Sequence, residues 1–261
     1  MFSKKQIPLK SNQEIQAMLA SCRLAARTLD MIAEEIQAGV STLKINDLCH
    51  QFICDHKAIP APLNYKGFPK SVCTSVNDVV CHGIPNKEEV LENGDIINVD
   101  VTTILDGYHG DTSRTFFVGD VAPQTKKLVE ATKESMMRGI AAVKVGGRVG
   151  DIGAAIQSYI EPMGFSVVRE FVGHGIGKGF HEEPQIPHYG KAGVGTRFAK
   201  GMTFTIEPMV NVGDWRCAIL EDDWTAVTVD GRLSAQFEHT IGILEDGSVQ
   251  ILTLGDAADV C

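Results

Sequence analysis

The feature that most constrains the fold is a correspondence between the two halves of the chain. A shift of 107 residues carries Gly39 to Gly146, and each glycine follows a long apolar pattern of helical period, so each is predicted to end a helix. The same shift matches further pairs: Ile45 with Ile152, Ile53 with Ile160, Gly94 with Gly201, and Asp100 with Glu207. The last pair is the most informative, because a carboxylate falls on a carboxylate. We therefore predict a single domain over residues 1–261, with similar halves at about 1–120 and 121–255, a cleft between them and a short C-terminal tail.

Hydrophobic periodicity predicts consecutive helices and antiparallel strands. Ser11-Asn12-Gln13-Glu14 has the form of a capping box at the start of the first helix, and a second helix is predicted from Ser41-Thr42. Two more are predicted over about 124–145 and through the isoleucines at 152, 156 and 160. Strands are predicted at 95–105 with a return to 117, near 167, and at 202–210, 224–229 and 236–244. This order indicates the α+β class rather than alternating βαβ units.

Composition excludes several functional classes. With 24 Lys and Arg against 33 Asp and Glu, the net charge of −9 disfavours general nucleic-acid binding. No apolar run approaches the ~20 residues that a membrane span requires, and the basic N-terminus leads into a polar helix start rather than a signal sequence. Seven cysteines without framework spacing indicate free thiols in a reducing compartment. The sequence therefore predicts an acidic cytoplasmic protein.

A predicted hairpin brings two aspartates together. A two-residue turn at Asp106-Gly107 places Thr102 opposite Asp111. Asp100 then becomes a diagonal neighbour of Asp111, within about 7–8 Å. Two carboxylates this close repel each other unless a proton or a cation lies between them. Two solvated acids near a turn are the alternative, which is weakened by the apolar residues predicted on the opposite face, Ile97, Val99 and Val101.

Further candidate ligands lie in the second half. Glu207 and Glu238 are each predicted within an apolar strand, which gives two acids in each half of the duplication. Hard oxygen ligands in this number suit divalent ions, and bridging carboxylates hold two metals about 3.5–4 Å apart. His174, in the glycine-rich segment 173–177, is interpreted as a loop residue. From this segment alone, His174 is better interpreted as a structural histidine.

Three other patterns do not support a site. The glycine-rich segment matches neither a dinucleotide-binding nor a Walker phosphate loop, because Gly179 rather than Ser or Thr follows Lys178. Residues 181–185 begin like a zincin helix but contain Pro184 and lack the second histidine. Zinc ligation by the second helix is disfavoured because no partner pair exists elsewhere, so buried thiols beside surface imidazoles are expected for Cys49, His50, Cys54 and His56.

Five segments, in order along the chain, resemble the motif set of type I methionine aminopeptidases. They are Asn98–Thr102, His109–Ser113, Gly173–Gly177, Thr205–Pro208 and Gln236–Thr240. The resemblance extends from about residue 8 to 254. It implies the pita-bread fold, a pseudo-twofold antiparallel sheet covered by helices, in agreement with the duplication. It also implies an enzyme that removes the N-terminal methionine from nascent proteins and peptides when the second residue is small.

The resemblance also implies a role for each matching residue. Two divalent ions (Co, Mn, Fe(II) or Zn) would be bound, with Asp111 and Glu238 as bridges, Asp100 on one ion, and His174 with Glu207 on the other. His82 and His181 would be catalytic, and Glu207 would take or relay a proton. The methionine side chain would enter a pocket formed by Tyr65, Phe68, Cys73, Phe180 and Trp224, with His82 and His181 also contacting the substrate. Without the resemblance, His82 is better interpreted as a loop histidine and His181 as a surface histidine. The aromatic residues are then better interpreted as ordinary core.

Three residues depart from the family pattern: Pro62 stands in place of a small residue or cysteine, Lys66 in place of histidine, and Asp223 in place of the glycine before Trp224. They put the pocket rim in question, not the metal site.

The resemblance further implies docking near the ribosomal exit tunnel, and we expect a monomer. An X-Pro aminopeptidase or prolidase of the same fold is disfavoured, since those enzymes usually carry a large N-terminal domain. A non-catalytic binding module is disfavoured, since all five ligand positions are able to bind metal.

Overall fold

The computed structural model describes residues 6–255, so the first five residues and the predicted C-terminal tail lie outside it. Its helices are α1 (Asn12–Ala33), α2 (Thr42–Asp55), α3 (Pro123–Ala141) and α4 (Val149–Ile160). The predicted capping box is present, because Ser11 Oγ accepts the Glu14 N–H while the Glu14 carboxylate accepts the Ser11 N–H. Among these residues, no helix is both long and apolar enough to cross a membrane.

The first and third helices end earlier than predicted. Neither α1 nor α3 reaches its glycine, because Gly39 and Gly146 form left-handed turns, with φ of 89° and 82°, that lead into α2 and α4. The glycines therefore lie in the turn before the next helix of each half and do not end the previous one. The 107-residue shift also carries the start of α2 onto the start of α4.

All recorded strand pairs are antiparallel, which confirms the α+β prediction. The first half contains β1 (Ile59–Pro60), β2 (Cys73–Val76), β3 (Val79–Cys81), β4 (Ile96–Leu105) and β5 (Tyr108–Phe117). The second contains β6 (Ser166–Val167), β7 (Gly173–Gly175), β8 (Glu182–Ile186), β9 (Thr203–Ile206), β10 (Met209–Asn211), β11 (Cys217–Ile219), β12 (Ala226–Thr228), β13 (Ser234–Gln236), β14 (His239–Ile243) and β15 (Val249–Ile251). In the first half β4 lies between β5 and the pair β1 and β2, and in the second β9 lies between β7 and β14.

Each half has its own apolar core, and the two meet along one seam. Residues of α1 and α2 pack on the apolar face of β4, while α3 and α4 pack on β9 and β14. At the seam, the hydroxyls of Thr112 and Thr115 on β5 donate to the carbonyls of Glu238 and Gln236, both at 2.7 Å. This contact brings the first-half hairpin against residues 236–240.

Several local predictions are wrong. Glu207 and Glu238 do not lie within strands: Glu207-Pro208 separates β9 from β10, where Pro208 cannot donate a ladder hydrogen bond, and Phe237-Glu238 separates β13 from β14. His174 lies in β7 rather than in a loop, and Trp224 lies before β12. Cys54 is exposed rather than buried.

Candidate metal centre

The hairpin places two aspartates in the cleft. The register of β4 and β5 pairs Thr102 with Asp111 and Asp100 with Ser113, which confirms the predicted geometry. Thr102 Oγ1 donates a 2.7 Å hydrogen bond to Asp111 Oδ1. By contrast, Asp100 Oδ1 is buried and has no hydrogen-bond partner. An unpartnered buried carboxylate oxygen is costly, so it points to a missing donor or cation.

Glu207 and Glu238 enter the same cleft from the second half. The two Glu207 carboxylate oxygens accept from Thr205 Oγ1 at 2.7 Å and from Gln236 Nε2 at 3.4 Å. Buried Glu238 is fixed through its backbone, because its N–H donates to Ser113 O at 3.1 Å. The breaks in the strands therefore turn both glutamates towards the hairpin.

His174 presents a lone pair to these acids. Its Nδ1 lies 3.0 Å from Gly175 O, and because a carbonyl can only accept, Nδ1 carries the proton. The unprotonated Nε2 lies 3.7 Å from Asp111 Oδ2 and 3.6 Å from Glu207 Oε1. A nitrogen lone pair and two carboxylates facing each other favour a cation between them. A backbone carbonyl on the outer ring nitrogen is typical of metal-binding histidines.

Burial makes the cluster unfavourable in its ionised, metal-free form. It raises the pKa of Asp100 to about 7 and that of Glu207 to about 8. Burial, followed by the charges of neighbouring carboxylates, raises the pKa values of Asp111 and Glu238 well above their usual range. Ligand atoms of Asp111, His174 and Glu238 all lie within 4.8 Å of one another. Oxygen donors with one imidazole fit a first-row divalent ion such as Mn, Fe(II), Co or Zn.

The five candidate ligands line one cavity of about 780 Å³, together with all the predicted pocket residues. Phe68 packs edge-on against Trp224 with ring centroids 5.2 Å apart, and the Tyr65 and Phe180 centroids are 4.8 Å apart. Cys73 on β2 pairs in register with Asp100, which links the pocket wall directly to the candidate ligands. The structure thus brings the predicted pocket and the predicted metal ligands into one cleft.

The two predicted catalytic histidines lie on this cleft in different settings. His82 has a φ of 58° and packs edge-on against Phe171, with centroids 5.3 Å apart, and burial lowers its pKa. The next residue, Gly83, has no room for a side chain, because a β-carbon would lie 2.0 Å from Thr74 O. This close backbone approach fixes the position of His82.

His181 lies at the mouth, where its Nδ1 is 2.9 Å from Tyr65 Oη and its ring centroid is 4.2 Å from that of His174. Partial burial in the cleft, then the nearby His174 and Lys66, lower the pKa of His181 to about 3. The imidazole is therefore neutral at ordinary pH.

Some site residues were not predicted from the sequence. Thr205 and Gln236 each lie two residues before a candidate ligand within the motif segments, a spacing that could have identified them. His188 is fully buried, and its Nε2 accepts the Glu207 N–H at 3.0 Å, but no local pattern marks it. Phe171 was also not predicted.

Two of the three departures from the family pattern lie at the cavity. Pro62 and Lys66 line the cavity, whereas Asp223 lies outside its lining. Asp223 has a φ of 64°, in the left-handed region that favours glycine, which explains why glycine is expected before Trp224. Aspartate tolerates this conformation better than most residues.

The chain is similar in sequence and in structure to known metallopeptidases. Residues 16–245 match the family described as metallopeptidase family M24. Methionine aminopeptidase A of Synechocystis is 61% identical over 250 residues, 96% of this chain and 98% of that protein. The crystal structure of methionine aminopeptidase from Rickettsia prowazekii is 54% identical, with a TM-score of 0.93 over 95% of this chain and 100% of that one.

The X-Pro aminopeptidases and prolidases, the alternative function within this fold, share only the fold with this chain. X-Pro aminopeptidase from Thermotoga maritima superimposes with a TM-score of 0.72 at 20% identity, over 94% of this chain and 62% of that one. The chain thus has the pita-bread fold of both groups, while its high sequence identity is to the methionine aminopeptidases. It belongs to metallopeptidase family M24 and, within it, to the methionine aminopeptidase family.

Proposed function

We propose that the protein removes the N-terminal methionine from peptides and nascent proteins whose second residue is small. The observation that carries the proposal is one cleft that combines an unpaired cluster of acids and His174 with an apolar, sulfur-containing pocket. The names of its relatives at 54–61% identity support the same activity.

In this proposal, five side chains would hold two divalent ions. Asp111 and Glu238 would be shared between the two sites, Asp100 would belong to one, and His174 with Glu207 would belong to the other. When bound, the ions supply Lewis acidity, which lowers the pKa of water and polarises a peptide carbonyl. The buried, unpartnered Asp100 oxygen and the His174 lone pair support this assignment.

The remaining chemistry belongs to three side chains. Glu207 takes the proton of the attacking water, with its carboxylate oriented by Thr205 and Gln236. His181 is neutral, and when the Tyr65 hydroxyl donates a hydrogen bond to its Nδ1, its Nε2–H is free to donate to the carbonyl oxygen as that oxygen gains charge. His82, which also lines the cleft, contacts the scissile nitrogen.

The apolar pocket selects the first residue. Its members are Tyr65, Phe68, Cys73, Phe180 and Trp224, whose aromatic and sulfur surfaces suit an unbranched thioether. Leucine has a similar volume but branches early, so its exclusion depends on shape and amounts to about 1–3 kcal/mol per misplaced methylene. The second residue lies beside the reacting carbonyl and the histidines, where a bulky side chain would displace the reacting atoms.

A peptide panel tests the proposal. Purified protein with Mn²⁺ or Co²⁺ is given peptides beginning Met-Ala, Met-Gly, Met-Ser, Met-Lys, Met-Glu and Met-Phe, and free methionine is measured. We expect the first three to be processed and the last three to be poor, with the difference in kcat as well as KM. Comparable kcat/KM for Met-Ala and Met-Phe would reject the proposal. Cleavage before proline without a need for methionine would favour the X-Pro rival.

Three further parts belong to the proposal: action on nascent chains near the ribosomal exit tunnel, which the resemblance implies, a monomeric state, and a cytoplasmic location, which the acidic composition and the cysteines without framework spacing support. We also propose that residues 1–261 act as one catalytic domain. The seam of hydrogen bonds from Thr112 and Thr115 supports this last point, because the cleft takes ligands from both sides of it.

A further inference from the structure

An ion pair lies beneath the segment that carries His181. This segment, the His181 loop, comprises residues 176–181 between β7 and β8. Lys10 Nζ contacts Glu182 Oε2 at 2.5 Å, and the side chains are only 6% and 13% exposed. The other carboxylate oxygen, Glu182 Oε1, accepts the Gly179 N–H at 2.8 Å. The Lys10 ammonium is thus connected to the backbone of the loop through a single carboxylate.

The backbone of the His181 loop packs closely against the aliphatic part of the Lys10 side chain. A β-carbon on Gly177 would lie 2.4 Å from Lys10 Cε, so the stem passes directly against the loop backbone. The far side of the loop is held by His109, whose backbone N–H donates to Gly177 O at 2.8 Å. His181 itself has one recorded hydrogen bond, to Tyr65 across the cleft, and is exposed. Its position therefore depends on its ring contacts with Tyr65, His174 and Phe180 and on how the backbone of the loop is held.

Lys10 is itself held rigidly, although it lies far from the loop in sequence. Its backbone N–H donates to Gly201 O at 2.7 Å, and a β-carbon on Gly201 would lie 2.6 Å from Lys10 O. The next residue, Ser11, is the N-cap of α1. Because the backbone is held on both sides and the side chain is only 6% exposed, the Lys10 ammonium is held in place.

We propose that Lys10 is a positioning residue for the reaction: through Glu182 it holds the His181 loop so that His181 faces the candidate metal centre. This inference rests on the proposed catalytic role of His181. Glu182 lines the same cavity and Lys10 does not, and neither is one of the five pocket residues or a proposed ligand. Loss of the ion pair should therefore change how well His181 is placed, and leave metal binding and pocket affinity largely as they are.

The test combines a substitution with a double-mutant cycle. Lys10→Met keeps most of the apolar stem and removes the charge, while Glu182→Gln keeps an oxygen for the Gly179 N–H and weakens the pair. Both are measured with a Met-Ala peptide for kcat and KM, and for metal content. We expect kcat to fall about 10-fold in each, since small misplacements of a reacting group are costly, with KM and metal content little changed. Lys44→Met, which removes an exposed ion pair with Glu35 at 3.4 Å, is the matched control.

The cycle separates positioning from general stability. In a His181→Ala background, Lys10→Met should cause no further loss of kcat, because the residue through which it acts is gone. The same 10-fold loss in both backgrounds would overturn the inference, as would unchanged kcat in both Lys10→Met and Glu182→Gln.

Backbone hydrogen exchange provides a readout independent of activity. Amides of residues 176–181 should exchange faster in Lys10→Met and Glu182→Gln than in the unmodified protein or Lys44→Met. Unmodified protein that releases no methionine would refute the proposed function instead. In that case the exchange rates decide the inference: unchanged protection of the loop overturns it, and increased exchange supports Lys10 as the residue that holds the loop.

Discussion

The buried carboxyl cluster predicts that the metal-free protein loses stability as the pH rises from 6.5 to 8. Burial raises the pKa of Asp100 from 3.8 to about 7 and that of Glu207 from 4.5 to about 8, and those of Asp111 and Glu238 are also raised well above their usual values. In this window the folded protein retains protons that the unfolded chain has already lost. The free energy of unfolding therefore falls with rising pH until each folded pKa is passed.

The histidines change the free energy of unfolding in the opposite direction and over a different pH range. The pKa values of His174, His181 and His188 are lowered from 6.5 to about 4, 3 and 3, mainly by burial. The stability they contribute is present above the unfolded pKa of 6.5 and lost as the pH falls below it. Because an unfolded imidazole is half protonated at pH 6.5, each of these histidines offsets the carboxyl effect by at most about 0.4 kcal/mol between pH 6.5 and 8, and solvent screening reduces this for the exposed His181.

The fall in the free energy of unfolding depends on how many more protons the folded protein binds than the unfolded chain between pH 6.5 and 8. The titration of Asp100 and Glu207 lowers the free energy of unfolding by about 2 kcal/mol, and Asp111 and Glu238 act in the same direction, whereas the three histidines offset at most about 1 kcal/mol. For a chain of this size, each kcal/mol shifts the Tm by about 2–4 °C, so the Tm should fall by at least about 2 °C.

Thermal unfolding of chelator-treated protein at the two pH values, at equal ionic strength, measures the effect. Asp100→Asn should reduce the fall, because it removes one titrating carboxyl. Saturating Mn²⁺ should reverse the trend, since the cation competes with protons for the same oxygens. A metal-free Tm that is equal or higher at pH 8 would refute the reasoning.

Three substitutions test other parts of the site. Asp111→Ala should lose bound metal and activity together, and two retained ions by elemental analysis with near-normal turnover would contradict its bridging role. His181→Ala removes a donor rather than a ligand, so metal content should persist while kcat falls roughly 10²–10³-fold; a loss mainly in KM would make it a binding residue. Gly83→Ala forces a β-carbon to within 2.0 Å of Thr74 O, so it should destabilise the fold by more than about 2 kcal/mol in denaturant unfolding and lower activity through the adjacent His82. Full stability in that variant would show that the backbone around Thr74 and Gly83 shifts freely.

The parts of the fold that could be predicted are those governed by local rules. The hairpin register follows from the two-residue turn at Asp106-Gly107, so the Asp100–Asp111 arrangement was available from the sequence alone. The Ser11 capping box is equally local. Helix ends were not, because Gly39 and Gly146 signal a left-handed turn without showing which helix it borders.

The remaining errors concern contacts between distant segments. Glu207 leaves its strand because a proline follows, and Glu238 is directed by a bond from its backbone to Ser113 on β5. His188 has no local signal, since its role depends on a single bond to Glu207 N–H. The ligand roles of the five candidates came from the family resemblance, because the 107-residue shift pairs Asp100 with Glu207 but does not show which side chains share an ion.

The seam between the halves has a mechanical consequence. On the proposed ligand set, one cation joins Asp111 in the first half to Glu238 in the second, residues separated by 127 positions in the chain. Such an ion acts as a reversible cross-link, and cross-links that close long loops restrict the unfolded chain most strongly. With the ion in place, the two apolar cores are coupled into one cooperative unit; without it, only hydrogen bonds and packing at the seam oppose their separate opening. Metal supply would then govern the mechanical integrity of the molecule as well as its chemistry.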